Sequence, residues 1–398
     1  MRVAIAGVGV AGGVVATGLA AMPGVEVLAF ERVGPEDHAV AGNGLNVGPN
    51  ALIALDRVMP ELAARLRDAS LPWRQWHAST MAGERLLHLP LAEVAASDGM
   101  RIRWAELYRV CRERVLPQVR WRTEVTAVRG AESGWPLSIT VRSADGSGVD
   151  IDDVDLLIVT DGRFSALRRQ LCGATRTRYL GVANFRVLLD DGGRWDLDDL
   201  AQWHNGPCRL LAFRLRGGLV YLSGNVPIPI DQDTPEHLTT AEGLAQAYTP
   251  ADGAMADVPR ALLEGACAAA AQGGLHWSRL QESDAVWSDP SARVLFLGDA
   301  GHAMVPTLGQ GATMAIEDAA AWVAHMRAGR DLPVSALVAR YRASRTERVH
   351  FVRTFSWQAS DVITPDRFSL AAVRAKASPE YRKSFQRLYD PDFGLQAA

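Results

Sequence analysis

A chain of 398 residues has room for two or three domains and a large core, and 48% hydrophobic content with a net charge of -3 describes an ordinary soluble globular protein. No block of like charge stands out, so neither nucleic acid nor an acidic membrane surface is an expected partner, and nearly all the positive charge is arginine, with lysine only at Lys376 and Lys383. Cys111, Cys172, Cys208 and Cys267 lie far apart and form no C-x-x-C pair, so neither a zinc site nor a disulfide framework is indicated, no metal ligand is assigned, and a reducing cytoplasm fits.

The first 32 residues read as strand, glycine turn, helix, strand and acidic end. Val3 to Ala6 is a short buried-strand run, and Gly7, Gly9 and Gly12 then fall on G-x-G-x-x-G. The first glycine makes a tight turn, the second lets the backbone approach a pyrophosphate, and the third packs helix on strand, with the phosphate on the helix N-terminus. Val25 to Phe30 reads as a second strand, and Glu31 follows where an acid can accept the ribose hydroxyls of an adenosine. Residues 3 to 22 carry no charge and could suggest a signal peptide or a membrane span, but glycines at 7, 9, 12, 13 and 18 weaken a spanning helix, and the segment runs straight into the second strand.

Residues 42 to 50, GNGLNVGPN, have loop composition, and a helix is expected from Ala51 to Arg67. A turn near 98 precedes Arg101 to Trp104 and a helix carrying Leu107, Val110, Cys111 and Val115. Arg120 to Val128 and Leu137 to Val141 alternate like strands, with Asp145-Gly146 as a turn nearby. Asp155 to Thr160 is a buried strand running into Asp161-Gly162, the carboxyl end of a strand where open α/β sheets place ligands, although turn chemistry alone explains the pair equally well.

From about 179 to 283 the character changes. Asn184 to Leu189, Cys208 to Leu215 and Leu219 to Val226 look like strands, and helices are expected over 241 to 248 and 258 to 271, a separate sheet-bearing region that walls a pocket. Val294 to Leu297 is then a strand closed by Gly298-Asp299, and Gly309-Gln310-Gly311 opens a helix with a buried face through Ala312, Ala315, Ile316, Ala319, Trp322, Val323 and Met326. Its glycine-rich start is a place for an anion or a developing negative charge, or a plain helix cap. Beyond Pro333 the chain reads as helical, with Val334 to Trp357 and Glu380 to Tyr389 as candidates.

Three separated segments, GVGVAGG with Glu31, DLLIVTDGRFSALRR, and GDAGHAMVPTLGQGATMAIEDA, resemble in order the three fingerprints of the single-component FAD-dependent aromatic hydroxylases, the group of p-hydroxybenzoate, salicylate and 6-hydroxynicotinate hydroxylases. The match runs from residue 1 to about 330. It implies an α/β fold: a Rossmann-type FAD-binding domain over 1–72, 98–178 and 284–331, an inserted sheet-bearing substrate domain over 73–97 and 179–283, and a C-terminal helical segment over 332–398.

The resemblance implies further that Gly7, Gly9 and Gly12 face the FAD pyrophosphate, that Glu31, with Arg32 beside it, meets the adenosine ribose, and that Arg103 contacts FAD. The backbone of Val125 would meet the adenine, and Asp161-Gly162 would serve both FAD and the reduced nucleotide. Asp299 would bind the ribityl chain, Pro306 would lie against the flavin, and Gly309, Gln310, Gly311 and Ala312 would offer N–H groups to its pyrimidine edge. Thr160, Gly301 and Thr313 depart from the alanine, alanine and asparagine usual at those places, and the segment GPCRLLAFRL shows no His and Tyr pair of the hydroxynicotinate type.

The implied reaction is reduction of FAD by NADH or NADPH, reaction with O₂ to a flavin C4a-hydroperoxide, and hydroxylation of a small hydroxylated aromatic or N-heteroaromatic substrate. Side chains alone do not carry oxygen chemistry. His204, Arg209, Tyr221 and His302 are the candidates for polar substrate contacts and for the activating base; each has a structural reading as well. A nicotinamide-only dehydrogenase leaves the GDAGH segment idle, a two-nucleotide flavin reductase lacks its second G-x-G-x-x-G, and a flavin halogenase lacks its lysine. A non-hydroxylating FAD oxidoreductase or an FAD-binding sensor is the alternative. The expected protein is a cytoplasmic monomer or homodimer with no membrane span.

Overall fold

Successive residues of the first strand serve two cores. Val3 and Ile5 pack with one buried cluster, Ala4 and Ala6 with another, which is why the run is apolar throughout instead of alternating. A computed structural model describes residues 1–39, 43–130 and 136–391. In it the strand Arg2–Ala6 is the centre of a five-stranded parallel sheet in the order Val294–Phe296, Leu156–Val159, Arg2–Ala6, Glu26–Phe30, Val119–Arg120. The helices Val10–Ala20 and Gln310–Ala328 pack together, and Gly18 permits their approach, since a Cβ there would collide with Val323. The second core joins Ala4, Ala6, Leu28 and Phe30 to Val125, Ile139 and Val154 of an antiparallel sheet built from Thr123–Arg129, Leu137–Ser143 and Gly148–Val154.

A seven-stranded sheet stands beside this unit, in the order His276–Ser283, Thr177–Asp190, Leu219–Pro227, Cys208–Arg214, Leu200–Asn205, Gln75–Thr80, Arg85–Pro90. All its pairings are antiparallel except that between Leu200–Asn205 and Gln75–Thr80. Phe185, Leu210, Ala212, Val220 and Leu222 lie on the face packed with Leu244, Tyr248 and Leu262 of the helices Ala241–Tyr248 and Asp257–Ala271. The strand period of two turns the residues between them to the opposite face.

Several expectations change. The loop expected at 42–50 contains the strand Gly44–Val47, paired antiparallel with Gly99–Arg103; Gly42 lies outside the described residues. The helix expected over Ala51 to Arg67 is two helices, Pro49–Val58 and Pro60–Ala69. Pro60 cannot donate a hydrogen bond and drives Met59 out of the helical region, to φ -144 and ψ 64. The strands Gln75–Thr80, Arg85–Pro90, Leu200–Asn205 and His276–Ser283 were not foreseen: they are short or rich in polar residues, and long-range pairing holds them. The tail forms the helices Val334–Gln358, Leu370–Ala375 and Pro379–Tyr389. Among the described residues no helix is long and apolar enough to cross a membrane.

A buried ion cluster ties these parts together. On the Gln310–Ala328 helix, Glu317 accepts hydrogen bonds from Arg348 Nε and Nη2, both at 2.8 Å, from Arg345 Nη1 at 2.7 Å and from Asn50 Nδ2 at 2.7 Å. Its neighbour Asp318 accepts from Arg345 Nε and Nη2 at 3.1 and 2.9 Å, pairs with His302 Nε2 at 2.5 Å, and takes the backbone N–H of Gly298 at 3.1 Å. Arg348 also donates to the Arg387 and Leu388 carbonyls at 2.9 and 2.6 Å. All four charged side chains are fully buried. Burial alone would raise the two carboxyl pKa values; Arg348 and Arg345 around Glu317, and His302 and Arg345 around Asp318, outweigh it and hold both at about 2.

Arg345→Met should therefore cost about 3–5 kcal/mol, because it leaves buried carboxylates without their cation; urea unfolding of the two proteins measures it. The carboxyl pKa values lie below the ordinary 4.5 and 3.8, so their contribution to stability is full above that range and is lost as the pH falls through it towards about 2. Unfolding midpoints of the native protein should drop across that window, and a flat profile there would contradict the assignment.

Candidate active site

A cavity of about 570 Å³ lies between the parallel sheet and the seven-stranded sheet. Its floor is the glycine turn. Gly7 adopts φ +90, and a Cβ there would meet the Thr160 carbonyl at 2.8 Å. A Cβ on Gly12 would run into the Gly7 carbonyl, but one on Gly9 meets nothing nearer than Tyr108 at 3.8 Å and so stands in the cavity that Gly9 lines. The three glycines thus have three different reasons, and only Gly9 is left open for something that is not protein.

Around the turn, Glu31 accepts the Val8 N–H at 2.7 Å and the Val33 N–H at 3.3 Å. Thr160 Oγ1 donates to the Gly7 carbonyl at 2.5 Å, which gives the departure from alanine a purpose: it braces the turn. Asp161 accepts from Ser165 Oγ at 2.9 Å, and Gly162 follows at φ +87 with open space about it. Arg163 and Phe164 line the cavity, and Phe164 is 75% exposed at its mouth.

At the other side, Gly298 at φ +58 turns the chain so that half-buried Asp299 lines the cavity. Pro306 follows, then Gly309 at φ +66, where a Cβ would press on Asn46. Gly309, Gly311 and Ala312 line the cavity at the start of a 19-residue helix with no side-chain cap and no acid in its first turn. Its unsatisfied N–H groups present partial positive charge there. Gln310 does not line the cavity; its buried side chain accepts from Asn50 at 3.2 Å. Thr313 Oγ1 donates to the Gly309 carbonyl at 3.0 Å and accepts the Gly48 N–H at 2.9 Å. Gly301 has no room for the usual alanine: a Cβ would lie 2.8 Å from the Phe296 carbonyl.

Arg103 ends the strand Gly99–Arg103 and lines a neighbouring surface hollow with Arg65, Glu106 and Arg216. Trp104 and Tyr108, one turn apart on the following helix with rings 5.4 Å apart, line the cavity. Buried Arg112, one further turn along, reaches the turn, donating to the Val8 carbonyl at 3.4 Å. Arg32 is exposed and Val125 is buried in the second core; neither lines the cavity.

Two of the four substrate candidates also fall outside it. His302 belongs to the buried ion cluster through Asp318. His204 lies beside Phe368, rings 6.0 Å apart, and burial, with Arg209 and Lys376 nearby, pushes its pKa down to about 3, so it is neutral near pH 7 and a poor base. Arg209 and Tyr221 do line the cavity. They share the wall with Asn184, Arg186, Ser223, Asn225 and Ser278, which the alternation of the strands delivers to one face. Sequence reading passed over these residues, although two-residue alternation along 182–187 and 221–226 marks their face.

The cradle defines a site for a dinucleotide flavin. No protein-family model matches the chain. It is 29% identical over 362 residues to 3-amino-4-hydroxybenzoate 2-monooxygenase of Streptomyces platensis, covering 88% of this chain and 85% of the relative. It is 28% identical over 394 residues to 3-hydroxybenzoate 6-hydroxylase 1 of Aquipseudomonas alcaligenes, covering 94% and 92%. Its fold matches that of Klebsiella pneumoniae HpxO, solved with FAD and uric acid, with a TM-score of 0.81 at 22% identity over 98% of this chain and 96% of the other. Over most of its length the chain is thus similar to FAD-dependent aromatic hydroxylases, in line with the resemblance of its three fingerprints.

The glycines separate two effects. Gly9→Val should give folded, colourless protein, whereas Gly12→Val should lower the melting temperature because its side chain strikes backbone; absorbance at 450 nm and thermal unfolding report both. A Gly9→Val protein that purifies fully yellow would refute the cradle.

Asp299→Ala should weaken FAD by about 10- to 150-fold, the value of about 1.5–3 kcal/mol for a hydrogen bond to a charged group. The apoprotein melting temperature should hardly move. Fluorescence titration of apoprotein with FAD measures the first quantity and calorimetry the second.

Proposed function

We propose that this protein is a monooxygenase that uses FAD, NADH or NADPH and O₂ to hydroxylate a small hydroxylated aromatic or N-heteroaromatic compound. The observation that carries the reading is the continuity of one cavity: glycine turn and helix N-terminus at one side, a polar sheet face at the other. Bound FAD supplies the redox chemistry, taking electrons from the nicotinamide and activating O₂. The relatives named above act, by name, on hydroxylated benzoates.

This chain's own residues have separable tasks. Gly9 leaves space for the pyrophosphate, and Glu31 stands at the end of its strand to accept from the ribose. Asp299 holds the ribityl chain. The N–H groups at Gly309 to Ala312 favour negative charge at the pyrimidine edge of the flavin, as the positive end of a helix does. Trp104 and Tyr108 cover one side and exclude water. Burial, with Glu31 and Asp299 nearby, pushes the Tyr108 pKa up to about 12, so its hydroxyl stays protonated. The wall of Asn184, Ser223 and Asn225 orients a ring by hydrogen bonds, and Asn184 is itself set by its bond to Ser223 Oγ at 2.7 Å.

The test is a screen of hydroxylated benzoates, nicotinates and purine-type heterocycles for stimulated NAD(P)H oxidation, with product analysis in ¹⁸O₂. One or more should raise NAD(P)H consumption and yield a product carrying one labelled oxygen. FAD binding without any ligand-stimulated oxidation would instead favour the sensor reading.

A further inference from the structure

The edge of the seven-stranded sheet brings together three side chains that lie outside the cavity. Along Gln75–Thr80 and Arg85–Pro90 the strand period of two buries Trp76, Ala78, Leu87 and Leu89 in one core cluster and leaves Gln75, His77 and His88 on the outer face. The antiparallel register sets His77 directly opposite His88, with the two rings stacked 4.7 Å apart and 10° from parallel. Both Nε2 atoms reach one acceptor, Gln75 Oε1, at 3.0 and 3.1 Å. Beside Gln75 and His77 lies a hollow of about 460 Å³ that Asp196, Asp198 and Asp199 also line. The spacing of the two histidines along the chain matches no metal motif; only the strand register makes them neighbours.

We propose that Gln75, His77 and His88 form a binding site for a late first-row divalent cation, zinc or copper(II), with two imidazole nitrogens and one amide oxygen as the protein's ligands. Two ligands about 2.1 Å from one ion, at angles of about 90–110°, stand about 3.0–3.4 Å apart, and Oε1 already keeps that separation from each Nε2. Imidazole nitrogen suits these ions. Gln75 accepts from both rings, so each Nε2 carries a proton; on binding, that proton passes through solvent to Nδ1 of the same ring, a change of tautomer without change of charge. Burial, with His88 and Arg85 nearby, holds the His77 pKa below its ordinary value, so this ring is neutral near pH 7 and its lone pair is available. His88 is exposed and free to turn its lone pair towards the ion. The hairpin does not need the three polar groups for its register, which the burial of Leu87 and Leu89 already fixes. Among the described residues no group of three His, Cys, Asp or Glu could hold a metal ion; here a glutamine oxygen is the third ligand and water completes the shell, which makes the ion exchangeable.

The test uses untagged, FAD-loaded protein washed with a chelator, titrated with Zn²⁺ by calorimetry and with Cu²⁺ by electron paramagnetic resonance. The native chain should take up one Zn²⁺, and the Cu²⁺ signal should show coupling to two imidazole nitrogens. His77→Gln and His88→Gln should each weaken Zn²⁺ by about tenfold or more, the scale on which metal sites respond even to loss of a supporting partner. Gln75→Glu places a charged oxygen where the amide stands and should tighten Zn²⁺ by about tenfold, since affinity follows ligand charge; a gain of this kind cannot come from misfolding. Zn²⁺ should also raise the melting temperature of the native protein and not that of the variant lacking both histidines, because an ion bound only by the folded chain stabilises it. No saturable binding by the native protein, unchanged binding when both histidines are replaced, or a folded Gln75→Glu protein whose Zn²⁺ affinity does not rise would overturn the proposal.

Discussion

Two adjacent acids on one helix constrain most of the site. Glu317 and Asp318 are fully buried, and they are tolerable only because Arg345 and Arg348 reach them from the Val334–Gln358 helix. Removing one partner of such a pair costs more than the pair itself is worth, so the four groups move together or not at all. Through Asp318 the cluster holds the Gly298 N–H and thereby the turn that aims Asp299; through Glu317 and Asn50 it holds Gln310 at the helix start. Through Arg348 it fastens the last described helix. The tail, which carries no readable motif, is thus the source of the cations that keep the cofactor side in shape.

The two walls of the cavity work by different physics. The glycine side combines backbone, with Gly298 and Gly309 at positive φ and the open start of a helix, with the side chains of Asp299, Trp104 and Tyr108. A surface of that kind suits phosphate and an electron-rich ring edge, since it offers backbone N–H groups at a helix start. The opposite wall is made of side chains on a regular sheet, where any second residue can be exchanged without disturbing the backbone.

Three departures from the usual pattern follow from local packing. Gly301 is glycine because the Phe296 and Val286 carbonyls crowd it. Thr313 bridges the Gly309 carbonyl and the Gly48 N–H, joining the helix start to the segment before Pro49. Thr160 has a comparable part at the glycine turn. In each case a small change at the cofactor side is compensated within one contact.

The parts whose chemistry is local could be read from residue order alone. Gly7, Gly9, Gly12 and Glu31, the strand before Asp161, and the run from Gly298 to Ala312 were legible because a turn, a strand end and a helix start each need particular residue types at fixed spacing. Only the tertiary structure decided which distant side chains meet. It placed His302 in a charge cluster, set His204 beside Arg209 across a strand pair, and put Trp104 and Tyr108 on the cavity wall. It also assembled the polar wall from strands far apart in the chain. Strand pairing and burial are properties of the whole molecule: whether Arg209 faces solvent or a cavity wall depends on what packs over it, and nothing in GPCRLLAFRL records that.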